Sequence, residues 1–99
     1  MKIKVQSIHF TADRKLLKFV EEKVDKLFQF YESIIDSEVY LRLDKSESME
    51  NKIAEIKITT PGKTLFAKEQ CKTFEEATDV AVEALRKQIT KQKEKIRGV

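Results

Sequence analysis

The chain has 99 residues, of which 40% are hydrophobic and 37% are charged. A chain of this length and apolar fraction forms one small domain, whose thin walls argue against an enzyme with a deep substrate cavity. Lys and Arg number 20 against 17 Asp and Glu, and this net charge of +3 does not by itself identify a partner.

Cysteine and histidine are too few for most covalent or metal chemistry. Cys71 is the only cysteine, so no disulfide can form within the chain, and His9 is the only histidine, without a neighbouring Cys or His to complete a ligand set. No apolar stretch is long enough for a signal peptide or a membrane span. We therefore expect a cytoplasmic protein without metal, cofactor or membrane partner.

The first strand and the first helix follow from two different periodicities. Ile3 and Val5 alternate with polar residues, and the alternation shifts by one position before Phe10, which predicts a strand with a bulge or a twisted end. Thr11 is placed to cap a helix, and apolar residues then recur at every third or fourth position. We expect a helix from about Ala12 to Phe30.

Three further strands are predicted from alternating apolar residues. One strand covers Val39 to Leu43, and the polar segment from Asp44 to Lys52 lacks any period, which indicates a mobile connection. The alternation resumes from Ala54 to Thr60 and continues after Pro61-Gly62, which is a turn signal. The last two strands are therefore expected to form a hairpin.

A second helix is predicted to begin with a capping box formed by Thr73 and Glu76. Neither Gly nor Pro interrupts the sequence before Gly98, so we expect this helix from Phe74 to about Arg97. At 1.5 Å per residue it would measure ~36 Å. Strands of seven or eight residues span only ~25 Å, which predicts that the last two or three turns extend beyond the sheet.

These elements define an α+β fold with the order β-α-β-β-β-α for the whole chain, residues 1–99. A right-handed crossover makes the first two strands parallel, and hairpins make the other pairs antiparallel, which gives a four-stranded mixed sheet. We expect both helices to pack on one face of this sheet. The opposite face, called here the open face, is expected to present Lys4, Tyr40, Arg42, Lys57, Phe66 and Lys68.

Charge along the second helix is polarised from end to end. Residues 73–83 contain four acids and no Lys or Arg, whereas residues 84–99 contain six cations and one acid. The helix dipole accounts for two or three cations at that end, so the remainder favours binding to an anion. The cations form two rows flanking Gln88 and Gln92. One row is Lys87, Lys91 and Lys95, and the other is Arg86, Lys93 and Arg97.

The first helix adds a weaker basic signal, because its lysines are balanced by Glu21, Glu22 and Asp25. Two helices that both present lysines are suited to binding the phosphates of a nucleic acid. They would recognise its shape and backbone rather than its base sequence. A merely solvated charged surface remains the alternative from charge pattern alone.

Two other functions are considered and ranked below nucleic-acid binding by the helices. Tyr40 and Phe66 on the open face could stack bases of single-stranded RNA, although aromatic residues favour strands in any case. Residues 5–10 resemble the phosphate loop of acylphosphatases, but Ser7 replaces a glycine and Thr11 replaces the arginine that binds phosphate.

Cys71 precedes a helix N-terminus that could lower the pKa of its thiol, and we interpret Cys71 as a packing residue.

The sequence resembles one known family over nearly its whole length, the ribosome hibernation promoting factors and ribosome-associated translation inhibitors. The most specific match is Asp79 followed by residues 85–89 (LRKQI), similar to an Asp and a Leu-x-Arg-Gln-Leu motif of the family. Two positions depart from the family pattern, Thr73 where an Asp often caps the helix and Arg86 where the residue is commonly acidic. The resemblance is carried by residues 3–5, 11–26, 39–41 and 74–95.

The resemblance implies a non-enzymatic protein that binds the small ribosomal subunit and its rRNA through both basic helices. It would occupy the channel of mRNA and tRNA and inhibit translation during stress or in stationary phase, with no small-molecule substrate. Because the chain stops soon after the second helix, it is similar to the short form, without a C-terminal dimerisation domain, and we expect a monomer when free. Lys87 matches the family's arginine and Lys91 a basic position. The predicted rRNA-binding residues are Lys18, Lys23, Lys26, Arg86, Lys87, Lys91, Lys93 and Lys95.

Overall fold

A computed structural model describes residues 2–45 and 49–96, with side chains for 3–45 and 49–92. Six elements follow one another in the predicted order. They are β1 (Lys2–Ile8), α1 (Arg14–Phe30), β2 (Asp36–Leu43), β3 (Lys52–Thr60), β4 (Lys63–Cys71) and α2 (Phe74–Ile96).

The strands form one four-stranded sheet in the order β1-β2-β3-β4. β1 and β2 are parallel, with Val5 opposite Val39, because α1 carries the chain back before β2 begins. The β2–β3 and β3–β4 pairs are antiparallel. This arrangement confirms the α+β fold and the mixed sheet.

The hydrophobic core lies between the sheet and the two helices. Alternate residues of β2 and β3 point to this side, and the apolar stripes of both helices meet them. On α2 this stripe begins with Phe74 and continues with Ala77 and Ala81, whose small side chains let the helix lie close to the strands. The fully buried residues include Val20, Val24, Leu27, Val39, Leu41, Ile56, Ile58, Ala77, Ala81, Leu85 and Ile89.

The start of α1 differs from the sequence prediction. The N-cap is Asp13 rather than Thr11, because the Asp13 backbone is extended and its carboxylate accepts a hydrogen bond from the Leu16 amide at 2.8 Å. The helix therefore begins at Arg14, two residues later than predicted. Asp and Thr are both good N-cap residues, so the sequence pattern did not distinguish them.

A turn at the end of β1 brings Phe10 to the core, whereas Ile8 is still in the strand and lies opposite Arg42 on the open face. His9 follows the strand and adopts a positive φ of 64°. This left-handed turn redirects the chain, so that the ring of Phe10 stacks on Phe74 at the start of α2 with centroids 4.9 Å apart. The predicted bulge or twisted end is thus a strand end followed by a turn.

The β3–β4 turn has the chemistry that the sequence predicted. Gly62 has a φ of 76° after Pro61, the combination that a type II turn requires. The Thr60 hydroxyl donates a hydrogen bond to the Lys63 carbonyl at 2.9 Å and closes the turn.

The predicted connection from Asp44 to Lys52 is described only in part. Residues 46–48 lie outside the described residues, and Lys52 already belongs to β3.

The second helix begins as predicted but extends less far past the sheet. The Glu76 amide donates a hydrogen bond to the Thr73 hydroxyl at 3.0 Å, as expected of a capping box. At the other end, Gln92 still contacts Thr60, so only one turn, residues 93–96, continues beyond this contact. β3 and β4 have nine residues each and span about 30 Å, which is longer than the predicted strands.

The open face is exposed in its middle and covered at one end. Lys4, Lys57 and Lys68 are exposed there, as expected. Ile53 also lies on this face, but it is 4% exposed because Arg42 and Gln70 flank it on the neighbouring strands. Gln70 donates hydrogen bonds to Asp44 and to the Glu50 carbonyl, which ties the β2–β3 connection to this end of the sheet.

Candidate nucleic-acid interface

The cations of α2 lie on its outer side because the opposite side is buried. Leu85 and Ile89 are fully buried against the sheet, whereas Arg86, Lys87 and Lys91 are exposed. Lys87 and Lys91 are one helical turn apart, so their side chains are neighbours on the same surface. Among the described residues, no carboxylate forms an ion pair with either lysine.

Gln88 and Gln92 have a structural role that the sequence did not indicate. The Gln88 side-chain amide donates to the Phe66 carbonyl on β4 at 3.0 Å, and that of Gln92 donates to the Thr60 hydroxyl at 3.5 Å. Both glutamines therefore hold the C-terminal half of α2 against the sheet. The two predicted rows of cations are separated by side chains that point inward to the sheet.

Arg86 lies at a groove between the C-terminal halves of the two helices. Its guanidinium lies over the Phe30 ring of α1, 5.0 Å from the centroid, and forms an ion pair with Glu83 at 3.5 Å. These contacts orient Arg86 while leaving half of its side chain exposed. The groove has a volume of about 590 Å³ and is lined by Phe30, Glu83, Arg86, Lys87, Thr90 and Lys91.

The three predicted lysines of α1 have different surroundings. Lys23 forms an ion pair with Asp79 of α2 at 3.1 Å and lies over the Phe19 ring, so it already contributes to packing between the helices. Lys18 is exposed but lines a depression together with three carboxylates. Lys26 is exposed, and no ion pair to it is found among the described residues. The positive potential of α1 is therefore weaker than its lysine content indicates.

The remaining predicted residues of the interface are on the last turn of α2. The backbone of Lys93 and Lys95 belongs to the helix. Their side chains lie outside the described residues, as does Arg97. The structure therefore brings together Arg86, Lys87 and Lys91 and leaves the predicted contributions of Lys93 and Lys95 as predictions.

Lys63 is a neighbouring cation that the sequence analysis missed. It is exposed at the start of β4 and lines a depression together with Lys91. A signal was present, because α2 runs back along β4 and must bring its C-terminal half next to the Pro61-Gly62 turn. Because 28 positions separate Lys63 from Lys91, charge clusters that are local in the sequence do not reveal this proximity.

The open face has a mixed rather than a basic character. The Tyr40 hydroxyl donates to a Glu38 carboxylate oxygen at 2.7 Å, and Arg42 pairs with Glu55. The hydrogen bond to Glu38, followed by burial and by the negative charges of Glu38 and Glu55, raises the pKa of Tyr40 above its ordinary value. Phe66 is 50% exposed on the same face. Carboxylates thus flank the tyrosine that was considered for base stacking.

The expectation that a helix N-terminus could lower the pKa of Cys71 is wrong. Cys71 is half-buried, and burial, followed by the negative charges of Glu76, Glu69 and Glu50, raises the pKa of its thiol. A raised pKa keeps the thiol protonated at neutral pH and weakens it as a nucleophile.

Residues 2–45 and 49–96 hold no cluster of three or more His, Cys, Asp or Glu side chains suited to a metal ion. Neither of their helices combines the length and the apolar character that crossing a membrane requires.

The small α+β fold and the exposed cations of α2 together have the features of a nucleic-acid-binding domain, and sequence comparison identifies the family. The sequence model of the family described as sigma 54 modulation protein / S30EA ribosomal protein matches residues 3–97. The chain belongs to this family, which confirms the resemblance to ribosome hibernation factors, and it is therefore a ribosome-associated factor. No curated protein matches the chain by sequence.

Solved structures support the same fold. A ribosomal subunit interface protein from Coxiella burnetii superposes with a TM-score of 0.83 at 19% identity, over 94% of this chain and 98% of that one. The N-terminal domain of Protein Y from Thermus thermophilus gives a TM-score of 0.77 at 24% identity, over 92% and 98% of the two chains. At these identities the likeness concerns the fold alone.

Proposed function

We propose that this protein binds the small ribosomal subunit, occludes the channel of mRNA and tRNA, and inhibits translation under stress or in stationary phase. Membership of a ribosome-associated family supports the ribosome as the partner. The observation that carries the proposal is the cluster of exposed cations on α2, Arg86, Lys87 and Lys91, beside the groove against α1.

The chemistry of this surface fits rRNA phosphates. Lys87 and Lys91 are like charges one turn apart, an arrangement that costs the free protein a few tenths of a kcal/mol and that a bound anion would relieve. Arg86 offers a planar set of donors held over Phe30, suited to a phosphate or to the face of an unstacked base. Base-specific readout is not required, because the subunit presents one fixed RNA shape.

The proposed action is steric and needs no reaction or cofactor. A protein that occupies the channel competes with mRNA and tRNA by mass action, so inhibition should follow the occupancy of the subunit. We include in the proposal that the protein is monomeric when free, with Lys18, Lys23, Lys26, Lys93 and Lys95 as further rRNA contacts.

Sedimentation with purified small subunits at increasing salt tests the proposal. We expect co-sedimentation at low salt and release as salt rises, with a log-log slope of about −4 when roughly five of these cations each neutralise one phosphate. Added mRNA and initiator tRNA should displace the protein, and cell-free translation should fall in proportion to the bound fraction. Absence of binding, or binding that salt does not weaken, would contradict the proposal.

A further inference from the structure

The depression between the β3–β4 turn and α2 contains two lysines from distant parts of the sequence. It has a volume of about 210 Å³, and Lys63 and Lys91 both line it. Its position is fixed, because Gln88 and Gln92 of α2 are bonded to Phe66 and Thr60 of the sheet. The depression is lined by Lys63, Thr64, Leu65, Gln88, Lys91 and Gln92.

The charge of this depression differs from that of its neighbours. Among the described residues that line it there is no carboxylate, and the ammonium groups of the two lysines supply donors. The groove between the helices contains Glu83, and the depression beside Lys18 contains Glu21, Glu22 and Asp25. Two ammonium groups, with no carboxylate among the described lining residues, give the depression a positive potential that an anion would neutralise.

The depression also adjoins the groove between the helices. Lys91 lines both of them, so the cationic surface runs from Arg86 through Lys87 and Lys91 to Lys63. It therefore turns from the outer side of α2 towards the β3–β4 hairpin. A nucleic-acid backbone that follows the groove would meet the hairpin next.

We propose that Lys63 and Lys91 together hold a backbone phosphate of an RNA strand that leaves the inter-helix groove and passes over the β3–β4 turn. The inference rests on the proposed function, because ribosomal RNA supplies the strand. It adds a sheet residue to an interface otherwise built from helices. Lys63 acts as a point charge here, so arginine should replace it and glutamine should not.

Binding of Lys63→Gln to small subunits tests this site, with Lys57→Gln as the matched control. Both are exposed lysines of the same hairpin, but Lys57 lies on the open face. We expect Lys63→Gln to weaken binding about threefold to tenfold and to make the salt slope shallower by roughly 0.7 to 0.9. Lys63→Arg should bind like the unaltered protein, as should Lys57→Gln.

A Lys87→Gln variant separates failure of this site from failure of the proposed function. If Lys87→Gln weakens binding while Lys63→Gln matches Lys57→Gln, the site at the turn is wrong and the proposed function stands. If the unaltered protein does not bind subunits, the proposed function is wrong, and the same variants tested on a double-stranded RNA oligonucleotide then decide the site. In that assay, equal affinity of Lys63→Gln and Lys57→Gln would overturn the inference.

Discussion

The helix side and the open face of the molecule both expose lysines, but the lysines have different neighbours. On the open face, Lys4 and Lys57 are each paired in register with Glu38, and Lys68 is paired with Glu55. On α2, Lys87 and Lys91 have each other as neighbours, and Glu83 of the preceding turn pairs with Arg86. The arrangement of carboxylates, more than the number of cations, therefore decides where an anion can bind.

The largest effect is expected from reversing charge on the helix side. Lys87→Glu combined with Lys91→Glu should weaken binding to small subunits about 100-fold, because two phosphate contacts are lost and two repulsive charges are introduced. Both residues are exposed, so the melting temperature should change little. Sedimentation and thermal denaturation measure the two properties separately.

The matched control makes the same change of net charge on the other face. Lys57→Glu combined with Lys68→Glu should reduce binding less than about threefold, because in the proposed binding mode the open face does not contact the subunit. New repulsion of Glu38 and Glu55 costs a few tenths of a kcal/mol per pair, which leaves the protein folded. Equal losses in the two double variants would show that only net charge matters, and the comparison would fail.

A smaller effect is expected within α1, where one lysine is already paired. Lys26→Gln should weaken binding by a factor of about three, and Lys23→Gln by less, because Asp79 already neutralises Lys23. Asp79→Asn should release Lys23 and strengthen binding about twofold to threefold. Titration of labelled protein with subunits can resolve these factors. A larger loss for Lys23→Gln than for Lys26→Gln would mean that the ion pair opens on the ribosome.

The smallest effect concerns the open face and leaves ribosome binding unchanged. Glu38→Gln should lower the pKa of Tyr40 towards the ordinary value of 10.0, because the hydrogen bond to the Glu38 carboxylate is the first cause of the raised pKa. Absorbance titration of the phenolate in a Tyr31→Phe background reports Tyr40 alone. An unchanged pKa in Glu38→Gln would contradict the assigned cause.

The sign of the pH dependence follows from this raised pKa. The folded protein holds the Tyr40 proton more tightly than the unfolded chain does. The stabilising contribution of Tyr40 is therefore present below pH 10.0 and is lost as the pH rises through the raised pKa of the folded state. Glu38→Gln should reduce this loss, which denaturant unfolding at alkaline pH can detect.

Periodicity was sufficient to predict the elements and their order, because the core-facing residues of β2, β3 and β4 recur at every second position and both helices have an apolar stripe. It failed where a single backbone angle or cap decides the outcome. His9 ends β1 through a positive φ, and Asp13 replaces Thr11 as the cap, although both residues favour that position.

The candidate site was predictable only as far as it is local in sequence. Arg86, Lys87 and Lys91 could be found because one helix carries them. The pairing of Lys23 with Asp79 and the approach of Lys63 to Lys91 depend on how distant elements pack, and periodicity does not report this. From the sequence, Gln88 and Gln92 are only polar residues between two rows of cations. The groups of the sheet that accept their hydrogen bonds are known only from the fold.

The hydrogen bond from Gln88 to the Phe66 carbonyl has a consequence for association between chains. β4 is an edge strand, and the unpaired backbone groups of such a strand invite another strand to extend the sheet. The Phe66 carbonyl already accepts a hydrogen bond from the Gln88 side-chain amide of α2, and this helix lies alongside β4. A second strand would have to displace that amide, so the contact that fixes the helix also protects the edge of the sheet against aggregation.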